Sequence, residues 1–221
     1  DRDRLVQTGG ARPGNILLLT KGIALEGTAL LAREQSETLR AAGVDAAVLA
    51  RAREFLRRPG ISVLPEARTI AGAGRPHALH DPTEGGLATG LHELVAASGV
   101  GLRVHREAIP VFPESTAICA ALGLDPLGTL ASGALLVAAP LGEAERLEAA
   151  LADAVEDQPR LFRVQVLQHA FLDHPGRALP LRIRTCTSAR TRRDTSCAWP
   201  SASSRSCRGS ARSRGSATAR S

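Results

Sequence analysis

The chain has 221 residues, 43% of them hydrophobic, with 28 Lys+Arg against 22 Asp+Glu. That length suits one sizeable domain or two small ones. No apolar run approaches membrane-spanning length and no charged-then-apolar stretch opens the chain, so a soluble, cytoplasmic protein with no membrane partner is expected.

The first elements follow from short apolar runs and glycine stops. Ile16 to Thr20, after Pro13-Gly14, is fully apolar up to its last residue and reads as a buried strand. A loop from Gly22 to Gly27 leads into a helix that runs to Ala42. Leu31, Gln35 and Leu39 form the stripe of that helix, and Gly43 stops it. A second helix is predicted from about Asp45 to Arg57, before Pro59-Gly60. A short third runs from Pro65 to Ala71, closed by Gly72 and Gly74. His77 to His80 is the next strand.

The most informative stretch comes next, His80-Asp81-Pro82-Thr83-Glu84-Gly85-Gly86-Leu87. Asp81 or Thr83 is expected as N-cap, with Glu84 in the first turn, ahead of a helix carrying Leu87, Leu91, Leu94 and Val95. The Gly85 and Gly86 amides, unshielded by Cβ atoms, suit a phosphate or carboxylate. A well-capped connection with no ligand fits the same spacing. Gly99 ends the helix, and Val100 to His105 reads as a strand. A helix from Glu114 to Leu122 follows Pro113, and Leu124-Asp125-Pro126 turns. Thr129 to Ala139 reads as one or two strands interrupted at Ser132-Gly133. The last helix, Glu143 to Ala154, buries Ala144, Leu147 and Leu151. Strands separated by helices of unequal length imply a sheet covered by helices, an α+β or α/β layered domain.

The net charge of +6 averages two unlike regions. Residues 1–154 carry 15 Lys+Arg against 18 Asp+Glu, a net of −3, whereas residues 155–221 carry 13 against 4, a net of +9. Residues 186–221 hold no Leu, Ile, Val or Phe, but ten serines and eight arginines. They are expected to be disordered, because too little apolar surface is there to offset ordering entropy. A basic tail of this kind suits phosphate contacts, but it has no aromatic interleaving beyond Trp199 to stack on bases, so a nucleic acid is not the expected partner. The preferred reading is a reading frame shifted by one base between Ala154 and Arg182. The domain is thus placed at 1–154, an uncertain connector at 155–181 and the tail at 182–221. The chain starts at Asp1 and has no Met, which suggests a fragment whose upstream part is missing. No C-x-x-C pair occurs, so neither a zinc knuckle nor a redox motif is indicated, and no metal ligand is assigned.

Three stretches carry a resemblance: "HDPTEGGLATGLHEL" (80–94), "RPGNILLLTKGIALEGTALLARE" (12–34) and "ALGLDPLGTLASGALLVAAP" (121–140). Together they resemble the C-terminal domain of the aminoimidazole ribonucleotide (AIR) synthase superfamily, nearest its HypE and AIR-synthase-related branches. The resemblance implies an α+β domain with a mixed sheet layered with helices. It also implies a two-domain ATP-dependent enzyme, whose missing N-terminal domain supplies most ATP and Mg2+ contacts. Such enzymes activate an amide-like oxygen by phosphoryl transfer, and this chain alone is expected to be inactive, with no tight cofactor of its own. Expected partners are a small-molecule or carbamoyl-type substrate and either the missing domain or a family homodimer.

By the same resemblance Asp81, Thr83, Gly85 and Gly86 face the cleft. There the glycine amides would steady phosphoryl oxygens, and Asp81 or Glu84 would orient a substrate group or a magnesium water. His80 would act in acid/base chemistry or phosphate binding, although a strand-end histidine also serves structure. Lys21, Gly22, Glu26 and Gly27 match a first glycine loop bordering the nucleotide or substrate. Ser132 and Gly133 fall where HypE proteins show Asn-Glu-Gly, a departure that speaks against HypE itself. A second departure is the C-terminal end, Ser221, where HypE carries a substrate-bearing cysteine. Two other readings remain open: a non-catalytic anion-binding or regulatory module, and a relative of the purine cyclo-ligase and synthase.

Overall fold

The computed structural model describes residues 5–154 and the backbone of 162–167 and 183–184. Four consecutive aliphatic residues form β1 (Ile16–Leu19), and side chains alternate across a strand. Leu17 and Leu19 therefore enter one apolar cluster and Ile16 and Leu18 the other. A strand with both faces apolar must be covered on both sides, and here helices do so.

The other strands are β2 (Ala78–His80), β3 (Gly101–His105), β4 (Leu136–Ala139), β5 (Phe162–Leu167) and β6 (Ile183–Arg184). They form one sheet in the order β2-β4-β1-β5-β3-β6. Every neighbouring pair is antiparallel except β3 and β6, which makes the sheet mixed, as expected. The sheet continues past Ala154, where the sequence reading closes the domain, because β5 pairs with both β1 and β3. The rest of the Ser/Arg-rich tail lies outside the described residues.

The helices are α1 (Leu25–Glu34), α2 (Ser36–Ala41), α3 (Ala46–Arg53), α4 (Leu64–Ala73), α5 (Gly86–Ser98), α6 (Pro113–Leu122) and α7 (Leu141–Ala154). Helix α5 lays Leu87, Leu91 and Leu94 against β1 and β4, while α4 and α7 bring Ile70, Ala144, Leu147 and Leu151 to the opposite face. Each such leucine contributes about 1.5–3 kcal/mol on burial. Helices α1, α2, α3 and α6 share a separate cluster of Ala32, Leu39, Leu49, Ala52 and Ile118. An ion pair of 2.6 Å from Arg51 to Glu114 ties α3 to α6.

Three local expectations are corrected. The helix predicted as continuous to Ala42 breaks at Gln35, which leaves helical geometry and stays exposed. The break lets Leu39 turn into its cluster. Residues 129–135 do not form a strand, since their backbone bonds go to neighbouring loops. Neither Asp81 nor Thr83 caps α5, and Glu84 lies before its first turn. Gly85 is the N-cap, in the left-handed region at φ 72°.

Along the outer edge of β2 runs a short 3-10 turn, Thr8–Gly10. Its Gly10 presses so closely on the His77 carbonyl that a Cβ has no room. The Thr8 hydroxyl lies 3.3 Å from both the Leu79 carbonyl and His80 Nδ1.

Candidate functional site

One end of the sheet gathers the three loops that the sequence singles out. Register sets both Leu19 and His80 opposite Leu136, so the ends of β1 and β2 meet the start of β4. The loops leaving them are 20–24, 81–85 and 129–135.

The third loop lies between the other two. Its Leu130 carbonyl accepts from the Gly27 amide at 3.1 Å, and its Ala131 amide donates to the Thr83 carbonyl at 3.2 Å. Gly27 lies against the Thr129 methyl group, and Gly86 against the Leu127 and Thr129 carbonyls. A Cβ at either glycine would collide with that loop, which explains glycine at both helix starts by close approach. Gly86 also sits at φ 67°, a region that L side chains rarely adopt. Gly133, at φ 108°, is buried beneath Gly60 and Ile61, with Ser132 half-buried beside it.

In the first loop Lys21 and Ala24 hold left-handed backbones, at φ 55° and 63°, without being glycine. Strain of that kind costs about 1–3 kcal/mol per residue and persists only where the surroundings enforce it. The enforcement is visible. Lys21 is 2% exposed, pairs with Glu66 of α4 at 3.0 Å and donates to the Ser62 carbonyl at 2.7 Å. Gly22 lies under the Phe112 ring, and the Ile23 amide bonds the Pro110 carbonyl. Lys21 is thus a buried strut of the loop that was expected to border the nucleotide or substrate. Glu26, in the first turn of α1, is half-buried.

In the second loop Asp81, Glu84 and Gly85 are exposed and Thr83 is half-buried. The Thr83 hydroxyl donates to the Asp81 carbonyl at 3.3 Å, a local turn contact. The Gly86 amide donates to the Thr83 carbonyl at 3.2 Å and is itself buried, so that half of the expected amide cradle serves the turn. His80, 16% exposed, places Nε2 2.8 Å from Glu93 of α5 and Nδ1 beside Thr8. With both ring nitrogens engaged, it acts as a brace between β2 and α5.

The site therefore presents the Asp81 and Glu84 carboxylates beside a glycine-led helix start, with its ammonium group turned inward to Glu66. Among the described residues no group of three or more His, Cys, Asp and Glu is arranged to hold a metal ion. Sequence reading missed the role of Asp125, whose Oδ1 accepts from the Leu127 amide at 3.0 Å and shapes the approach to the third loop. The Asp-Pro start of that turn was the available signal. It also missed Glu93, for which a histidine thirteen residues earlier gives no cue. Cys119 is buried, and burial pushes its thiol pKa up while the Thr129 hydroxyl opposes this.

Residues 12–159 match the AIR synthase related protein family over its C-terminal domain. The chain belongs to that family. Among curated relatives of this family member, carbamoyl dehydratase HypE of Cupriavidus necator is 36% identical over 148 residues, which are 66% of this chain and 38% of the relative. The chain therefore spans about two-fifths of that relative's length. The crystal structure of Escherichia coli HypE superposes with a TM-score of 0.59 at 26% identity, covering 80% of this chain and 52% of that one. A hydrogenase maturation protein HypE crystallised in complex with ATP gives a TM-score of 0.54 at 25% identity, covering 75% and 46%. No helix of the described residues is long and apolar enough to cross a membrane.

Proposed function

We propose that this domain is the C-terminal half of an ATP-dependent enzyme of the hydrogenase-maturation type, working with an N-terminal nucleotide-binding domain. The observation that carries the reading is the convergence of the three glycine loops at one end of the sheet. The ATP complex of a HypE protein and the carbamoyl dehydratase name of the C. necator relative support it. In the intact enzyme the γ-phosphoryl group of ATP passes to an amide-like oxygen, which then departs as phosphate. Mg2+ and most of the nucleotide are held by the N-terminal domain, alone or within a family homodimer.

On this side of the cleft Asp81 and Glu84 orient the substrate or a magnesium-bound water, and the exposed Gly85 turn supports a phosphoryl oxygen. Thr83, Gly86, Gly22, Gly27, Ser132 and Gly133 shape that wall, and Glu26 borders it. Lys21 and His80 brace it.

The test joins the N-terminal half of the C. necator relative to this complete chain and follows ATP hydrolysis with a carbamoyl substrate. The hybrid is expected to exceed the N-terminal half alone. Asp81→Asn and Glu84→Gln should each lower its rate with the melting temperature unchanged. A hybrid that folds by circular dichroism yet runs no faster than the half alone overturns the proposal.

A further inference from the structure

The loop that separates the two glycine-led helix starts is itself held from one point. Asp125 accepts both guanidinium nitrogens of Arg106, Nη2 at 2.6 Å and Nη1 at 2.9 Å. The same carboxylate takes the Leu127 amide at 3.0 Å. Its carbonyl accepts from the Gly128 amide and from the Thr129 hydroxyl, each at 3.0 Å. Five donors thus fix one residue at the root of 126–131. Beyond it the chain has no slack. The Leu127 and Thr129 carbonyls rest on Gly86, the Thr129 methyl rests on Gly27, Leu130 bonds Gly27, and Ala131 bonds Thr83.

We infer that Asp125, locked by Arg106, is a positioning residue that sets the Gly27 and Gly86 helix starts relative to each other across the proposed site. Isolated surface ion pairs contribute little, but a forked guanidinium–carboxylate pair that also caps a turn is the strong case. Arg106 lies in the short 3-10 turn Arg106–Ala108 that follows β3, so the lock also ties the site to the far side of the sheet. The inference rests on the proposed site lying at those helix starts. The lock itself is a separate matter of geometry.

Hydrogen exchange of the full chain, followed by peptide mass spectrometry, separates the two. Asp125→Ala and Arg106→Met should each raise exchange about tenfold in peptides covering 25–31 and 83–90, the effect of losing one charge-assisted bond. Peptides from 141–151 should stay unchanged. Asp125→Asn, which keeps the cap but not the charge, should fall between. A uniform rise across all peptides, or none at the two helix starts, overturns the inference. In the ATP-hydrolysing hybrid the same variants should raise the KM for ATP more than they lower kcat. An inert wild-type hybrid with the exchange pattern intact overturns the functional reading and leaves the lock standing. An active hybrid whose KM ignores Asp125→Ala removes the residue's bearing on the site.

Discussion

His77 shows how one side chain gives the fold a pH dependence. Its Nδ1 donates to Asn15 Oδ1 at 3.0 Å, and that oxygen also takes the Arg12 amide. Burial lowers its pKa below the ordinary 6.5, the Arg12 charge lowers it further, and Glu143 opposes both. The folded chain then binds the proton less readily than the unfolded chain. Stability should therefore fall as pH drops below about 6.5 towards the lowered value. Asp125 and Glu143 act lower on the scale, since their hydrogen bonds hold both carboxyls below the usual range. Their contributions are lost only as pH falls through those depressed values. Urea melts of the wild type and of His77→Gln between pH 7.5 and 5 should converge as the pH falls. Curves that stay parallel would remove His77 as the cause.

At the scale of elements, the turn from β2 to α5 shows what patterning reveals and what it conceals. The apolar spacing of Leu87, Leu91 and Leu94 places the helix and its buried face. The cap is another matter. Asp81 and Thr83 are good N-cap residues by type, yet two consecutive left-handed glycines delay the helix until Gly86. What selects that geometry is the 127–131 loop pressing from above, forty residues away in sequence. Local propensity carries no trace of it. Gly86→Ala should cost about 3 kcal/mol through a left-handed backbone and a blocked approach, readable as a lowered urea midpoint. A loss below about 1 kcal/mol would mean that the loop yields. The loop 129–135 fails as a predicted strand for the same reason, because its hydrogen bonds serve its neighbours. Likewise nothing near Lys21 in the sequence marks it as buried, because its partner Glu66 lies forty-five residues on.

For the whole molecule, strand order decides where the domain ends. The sequence reading stops at Ala154 because apolar periodicity weakens and basic residues accumulate beyond it. Phe162–Leu167 nevertheless lies between β1 and β3 in the middle of the sheet. Without it β1 loses its hydrogen-bond partner on one side, and β3 is separated from the remaining strands. The compact unit extends to Cys186. A chain ended after residue 154 should therefore aggregate or melt without a cooperative transition, whereas one ended after residue 186 should unfold cooperatively. Equal melting behaviour in the two truncations would show β5 to be dispensable. Length and charge alone bounded the size, and pairing between distant strands such as β1, β5 and β3 leaves no local mark in composition.

The Thr8–Gly10 turn along β2 has a consequence for assembly. An open rim of a sheet is a template on which another molecule's strand can add. Here a hydroxyl occupies an acceptor of that rim and a side-chain-free residue seals the backbone next to it. Among the described residues, this flank of the sheet is therefore guarded against strand addition by a second molecule.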